Sequence, residues 1–294
     1  MPLKEELHKA YESYYTHAGG RSHEGMIAGL LGAMKRGYLA NRFGYREGVS
    51  PLARLAGLLP LLYPGRPPEL DLSVMWLQAS RRGTMIDIGA GSGWLVEHLN
   101  SLGWDAQGLD LDPVAVSNAC ARGLRFRRGS LASQRFPDAA FDAVTLCHSI
   151  EHVPDPTSLV RECLRILKPD GRLVLATPNT GSLGHWLFGE AWLHLDSPRH
   201  LQLFNRRSMT ALIAAAGGIR FRIFSTCRDA NGVFVASRTI RRCGRFDMNA
   251  PRSFAGKFGG RAAQLAEILA MLVMPFWGED LVAIIDKPSP GGRS

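Results

Sequence analysis

"MIDIGAGSGWLVEHL", residues 85–99, decides how this chain is read. Met85, Ile86, Asp87 and Ile88 have strand character, Gly89-Ala90-Gly91-Ser92-Gly93 breaks it, and a helical pattern starts at Trp94. Three glycines between a strand and a helix mark a turn where something comes very close to the backbone, because only glycine leaves that space and tolerates positive φ. The spacing Asp87-x-Gly89-x-Gly91-x-Gly93 is not the GxGxxG dinucleotide fingerprint, so a nicotinamide oxidoreductase is the least favoured reading.

Outward from this turn the chain alternates. Strand-like runs occupy 85–88, 106–109, 124–127, 141–146, 172–176, 219–225 and 281–286, with helix-like runs at 94–101, 113–122, 156–167 and 206–216. Alternation of this kind calls for a mostly parallel sheet covered on both faces, an α/β fold. Ahead of it, residues 3–17 and 24–41 have helical spacing, and the Leu- and Pro-rich run "LLPLLYPGRPPELD" forms a junction before a helix over 69–80. Some fifty residues separate the sixth run from the last, and they read as two helices, basic then apolar. The expected plan is an N-terminal helical cap over 1–80, a core domain over 81–227 and 280–288, and a helical insertion over 228–279.

Composition narrows the class. With 294 residues and 46% hydrophobic content the chain can bury one large core. Its five cysteines are dispersed without a CxxC pair, which argues against a disulfide framework or a cysteine zinc site and fits a reducing cytoplasm. The N-terminus lacks the apolar stretch of a signal peptide, and no run reaches the roughly 18 apolar residues of a membrane span. Net charge is +9, and ten Lys or Arg against two Asp fall between Arg220 and Arg261. That stretch reads equally as a solvated surface or as a face for an anionic membrane, a phosphorylated carrier or nucleic acid. No zinc finger, RNP-type or KH-type motif supports nucleic acid.

Chemistry-bearing residues gather around the turn. Asp110 follows at the end of the second strand-like run, about where a carboxylate accepts both ribose hydroxyls of a nucleoside cofactor. Its structural alternative is a helix N-cap before Pro113, a place better filled by Asp112. His148, Glu151 and His152 stand at i, i+3 and i+4, so a helical turn there puts them on one face, and His200 follows in "LDSPRHLQLF".

"IDIGAGSG", "GLDLDP", "FPDAAFDAVTLCHSIEHVPDP", "ECLRILKPDGRLVLATPN" and "LVAIIDKP" together resemble the successive motifs of class I S-adenosylmethionine-dependent methyltransferases, nearest their ubiquinone-biosynthesis-like and polysaccharide-cluster-like branch. The resemblance covers about Met85 to Phe221 and the last strand. It implies a Rossmann-like, doubly wound, mostly parallel seven-stranded sheet, with S-adenosylmethionine as cofactor. It also implies that Gly89, Ala90, Gly91 and Gly93 admit the methionine and ribose parts, that Asp87 meets the amino group, and that Asp110 with neighbouring Leu111 takes the ribose. Where the family has Gly-Asp-Leu or Gly-Asp-Ala for the adenine, this chain has Gly129-Ser130-Leu131, a hydroxyl in place of a carboxylate and a weaker acceptor. The end of the fourth strand, Leu146-Cys147-His148, faces the cofactor with main-chain carbonyls; a buried thiol such as Cys147 acts as a small hydrophobe.

Methyl transfer from a sulfonium is an in-line displacement, so alignment and exclusion of water supply most of the catalysis, with a base if the acceptor is a hydroxyl. For the histidine cluster three readings stand side by side: Glu151, His152 and His200 as ligands of a divalent metal; His152 or His200, with His148, as the base; or a purely structural loop before Pro154. The departure from the family pattern is His148, which stands where relatives have the first Glu of Glu-x-x-Glu-His. The segment 179–204, with Trp186, Phe188 and Trp192, and Tyr14, Tyr15 and His17 from the N-terminus, is the expected roof of the acceptor pocket. The expected reaction is O-methylation of a small molecule, or of a glycan or lipid-linked precursor, in the cytoplasm, with the 228–279 insertion as a peripheral membrane contact. A nucleic-acid methyltransferase and a non-catalytic cofactor-binding protein are the alternatives.

Overall fold

Helix starts follow one local rule. Ser50, Asp112 and Asp155 each accept a backbone N–H from the first turn, with Pro51, Pro113 and Pro156 behind them supplying a preset φ. The computed structural model describes residues 26–245 and 254–289. Its helices are α1 (Met26–Phe43), α2 (Pro51–Ala56), α3 (Arg66–Leu72), α4 (Trp94–Ser101), α5 (Pro113–Ala121), α6 (Leu131–Gln134), α7 (Pro156–Ile166), α8 (Leu183–Phe188), α9 (Arg206–Ala215), α10 (Ala230–Cys243) and α11 (Phe254–Val273). Its strands are β1 (Thr84–Ile88), β2 (Asp105–Asp110), β3 (Phe126–Arg128), β4 (Phe141–Cys147), β5 (Leu167–Pro178), β6 (Phe221–Thr226) and β7 (Asp280–Asp286).

Among the described residues the seven strands form one sheet in the order β3-β2-β1-β4-β5-β7-β6. Pairings from β3 to β5 are parallel, whereas β7 runs antiparallel to both β5 and β6. Alternate residues serve opposite layers, as the two-residue period of a strand demands. Ile86, Val144, Leu146, Leu173 and Leu175 pack toward Val160, Ile166, Met209 and Ile213 of α7 and α9. Met85, Ala143, Val174, Val282 and Ile284 pack toward Leu95 and Leu99 of α4, Leu39 and Phe43 of α1, and the 70–77 segment. Part of the N-terminal region therefore forms one of the sheet's two helical layers.

Two elements differ from the sequence reading. The helix expected over 69–80 is α3, which stops at Leu72. Val74, Met75, Trp76 and Leu77 are all buried, and a regular helix cannot turn four consecutive side chains to one sheet. The chain breaks into turns, with Met75 and Trp76 at φ 46° and 51°. β3 begins at Phe126, two residues later than expected. The insertion is helical as read, as α10 and α11. The expected helix over 3–17, with Tyr14, Tyr15 and His17, lies outside the described residues.

Candidate active site

The strand order reverses between β1 and β4, and in open α/β sheets the crevice at the carboxyl ends of such strands is where ligands bind. Both motif groups of the sequence meet there. Gly89 and Ala90 N–H both donate to the Leu109 carbonyl at 2.8 and 3.1 Å, tying the turn after β1 to the end of β2. Gly89 has φ 72°, and a Cβ on it would lie 2.5 Å from Ser149 Cβ, so the β4 loop closes over this glycine as tightly as the chain permits. Ala90 turns its methyl into the core and offers the site backbone alone.

Two carboxylates face this turn in different states. Asp110 accepts from Gly91 N–H at 2.7 Å with one oxygen and from Asp112 N–H at 2.9 Å with the other, so it shapes the loop and still has lone pairs. Asp112, as its position suggested, caps α5 through Val114 N–H. Asp87 is 3% exposed and accepts from Thr145 Oγ1 at 2.7 Å. Burial, reinforced by the charge of Asp110, pushes its carboxyl up to about 7 despite the Thr145 bond. An acid so placed is suited to an incoming cation. Ser130 N-caps α6, its hydroxyl accepting Ser133 N–H at 3.3 Å. Leu131 is buried and Leu111 is exposed beside Asp110. Burial pushes the Cys147 thiol far up, which agrees with a packing role rather than a nucleophilic one.

The histidine group lies beyond β4, in a different arrangement from the one expected. His148 takes φ 51° and the helical turn is a short 3₁₀ one over Ile150–His152, so His148 does not share a helical face with Glu151 and His152. The strand end at Cys147 and the His148 N–H bond to the Ala176 carbonyl set that geometry. Glu151, fully buried, sits between two pairs: His148 Nδ1 is 3.7 Å from its Oε1, while His152 and His200 stack edge-on 4.8 Å apart. One ligand atom from each of Glu151, His152 and His200 lies within 4.8 Å of the others. His152 Nδ1 is 3.1 Å from the Arg199 carbonyl and His200 Nδ1 is 2.7 Å from the His194 carbonyl. A carbonyl only accepts, so both Nδ1 atoms carry hydrogen and, in the neutral rings, Nε2 carries the lone pair. Thr177 Oγ1 donates to Glu151 Oε2 at 2.9 Å, and Oε1 is buried without a hydrogen bond. Two imidazole nitrogens and the Glu151 carboxylate, whose Oε1 also faces His148, form a donor set that fits a divalent ion.

Beneath this set lies a buried ionic network the sequence reading missed. Asp280, first residue of β7, is 3.7 Å from His148 Nε2 and 3.2 Å from Arg228 Nε. Burial works against its ionisation, but Arg228 and His148 override it and pull Asp280 down to about 2. Burial likewise opposes charge on His148, and Asp280 with Glu151 overcomes it, raising the imidazole to about 9. So placed, His148 is held toward its charged form. Burial lowers His200 and, to about 4, His194, so both stay neutral. Next to them Glu279 accepts from Gly184 N–H and Trp192 Nε1, each at 2.8 Å, and its own N–H donates to Glu267 Oε1 at 3.1 Å. Burial holds both of these carboxyls toward the protonated form. Trp192 is therefore a buried anchor of the 179–204 segment, while Trp186, 70% exposed, stacks on Trp277 at its surface. The available sequence signal was "GED" at 278–280, two consecutive acids entering an apolar strand.

A family model for a methyltransferase domain matches residues 66–217, just over half of the chain. A ubiquinone biosynthesis O-methyltransferase of Xanthomonas oryzae pv. oryzae is 36% identical over 150 residues, which is 48% of this chain and 58% of that protein. A probable S-adenosylmethionine-dependent methyltransferase of Mycolicibacterium smegmatis is 31% identical over 162 residues, 54% of this chain and 60% of that one. The chain thus spans less than two thirds of the length of either relative. Among solved structures, Haemonchus contortus phosphoethanolamine N-methyltransferase 2 in complex with S-adenosyl-L-methionine superposes with a TM-score of 0.50 at 17% identity, over 87% of this chain and 60% of that one, a likeness of fold.

Proposed function

Since this chain belongs to the methyltransferase domain family, as a class I S-adenosylmethionine-dependent member, we propose that it methylates an oxygen of a small molecule or of a glycan or lipid-linked precursor. The carrying observation is the Glu151, His152 and His200 set just past the end of the central strand β4, whose loop meets the glycine turn at Ser149. S-adenosylmethionine supplies an electrophilic methyl group, and a divalent ion held by Glu151, His152 and His200 would acidify an acceptor hydroxyl. Everything else falls to the chain. Gly89, Gly91 and Gly93 leave backbone space for the methionine and ribose parts, Asp110 accepts from the ribose hydroxyls, and Asp87 answers the amino cation as a carboxylate. Ser130 and Leu131 border the adenine, and the Cys147 main chain borders the methyl. Imidazolium His148, fixed between Glu151 and Asp280, keeps Glu151 ionised. His152 and His200, their Nδ1 atoms committed to carbonyls, aim Nε2 lone pairs at the acceptor's proton or at the ion. The 179–204 segment, anchored by Trp192 on Glu279, excludes water.

Methyl-labelled S-adenosylmethionine incubated with the protein and fractionated cell extract, with and without chelator, tests this reading. Label is expected in an O-methyl group of a glycan, lipid or phenol fraction, with a large loss on chelation. Label confined to nitrogen, or to nucleic acid with steep salt dependence, overturns the oxygen assignment; undiminished transfer under chelator overturns the metal.

A further inference from the structure

We propose that the surface formed by α2, the turns after it and the outer side of α11 seats this protein on an anionic lipid bilayer. This goes beyond the transfer reaction and does not depend on it. α11 has two unlike sides. Gln264 and Glu267 point inward and are fully buried, whereas Leu265, Leu269 and Leu272 recur along the opposite side and stand 42, 65 and 77% exposed. A row of leucines left in water along one helix face is the kind of surface that enters a hydrocarbon environment. Across from it, Leu52, Leu55 and Leu62 are 75, 64 and 80% exposed, on a segment where prolines and a 3₁₀ turn push leucines outward.

The two segments touch. Tyr63 Oη donates to Gln264 Oε1 at 2.6 Å, and a Cβ on Gly65 would meet the Gln264 amide at 2.7 Å. Between them opens a cavity of about 460 Å³, with Pro64 and Pro68 on one wall and Met271 and Leu272 on the other. A second cavity is lined by Glu69, Leu72 and Arg228, the arginine that pairs with Asp280 in the candidate active site.

Charge selects the occupant. Within 48–66 and 258–274 the charged side chains at the surface are Arg54, Arg66 and Arg261, of which Arg66 pairs with Glu69 of α3, and the single carboxyl in those stretches, Glu267, is buried. α10, packed along α11, adds exposed Arg238 and Arg242, and Arg245 follows its end. A second copy joined through the same patch would bring like charges together around a two-fold axis, whereas anionic lipid head groups complement both the arginines and the leucines between them. Among the described residues no helix is long and apolar enough to cross a membrane, so the contact is interfacial.

Flotation of the full chain with phosphatidylcholine vesicles containing phosphatidylglycerol, against vesicles of phosphatidylcholine alone, tests the proposal. Binding to the anionic vesicles is expected to be at least about tenfold tighter. Leu62→Glu with Leu269→Glu should abolish it; both positions are solvent-exposed, so circular dichroism and thermal unfolding should match the parent, and Leu52→Glu with Leu272→Glu provides a second pair. Equal binding to both vesicle types, no binding to either, or unchanged binding by both well-folded pairs overturns the proposal. So does light scattering that shows a stable dimer dissolved by the same substitutions.

Discussion

Asp87→Asn is the substitution in which stability and ligand binding should move in opposite directions. The carboxyl sits at about 7 in the folded chain against an ordinary 3.8. A raised acid holds its proton more tightly when folded, so its contribution is fully present below 3.8, declines as pH rises and is lost above about 7. That interval corresponds to ~4 kcal/mol. Asparagine keeps the acceptor for Thr145 and never ionises. Without ligand, the variant should therefore gain up to about 4 kcal/mol over the parent at pH 8 and nothing near pH 4, with a flatter stability profile between. A cation from S-adenosylmethionine beside Asp87 forces ionisation. At pH 7 about half a proton should be released per binding event, and parent affinity should fall about 30-fold from alkaline pH to pH 5.5. Calorimetry in buffers of different ionisation enthalpy measures the proton, and urea denaturation across pH measures the stability. An Asp87→Asn chain that is less stable at alkaline pH, or a parent that binds without releasing a proton, would refute the placement of this acid as the cation's partner.

Three further outcomes follow from the same geometry. Gly89→Ala should cost ~1–2 kcal/mol for its left-handed backbone alone, plus displacement of Ser149, and should lower cofactor affinity, measured by thermal unfolding and calorimetry. Glu151→Gln should reduce turnover by about 10²-fold or more while cofactor affinity stays near parent, and divalent-metal content by elemental analysis should fall with it. His148, raised from 6.5 to about 9, contributes stability that is present below 6.5 and lost as pH rises through about 9; Asp280→Asn should erase that alkaline loss in denaturation midpoints, at the cost of lower stability at neutral pH.

Much of the fold was legible because its signals are local. The strand of β1, the glycines and α4 lie within eighteen residues, and the caps Ser50, Asp112 and Asp155 act within one helical turn. The candidate site was half legible for the same reason. Asp87, Gly89, Gly91 and Asp110 are read from one strand-turn-helix and its neighbour. Asp280, Arg228 and His194 come from three separate segments, and only the pairing of β5 with β7 brings Asp280 to Pro178 and so to His148. Local spacing carries no record of such a contact. The misjudged phase of His148 has a different origin: i, i+3, i+4 spacing announces a helix, but a residue closing a strand in left-handed backbone does not take part in that periodicity.

The position of β7 has a consequence for synthesis. This strand enters the sheet between β5 and β6, both of which leave the ribosome earlier. Until residues 280–286 emerge, the β5 flank has no neighbour and β6 has nothing to dock on, so the nascent chain carries a sticky, half-built β platform up to that point. A product ending before residue 280 would lack more than an ornament: it would lose the wedge that joins its two halves and the aspartate that steadies the imidazolium. Such a product should be a client of chaperones and proteases, never a weak enzyme.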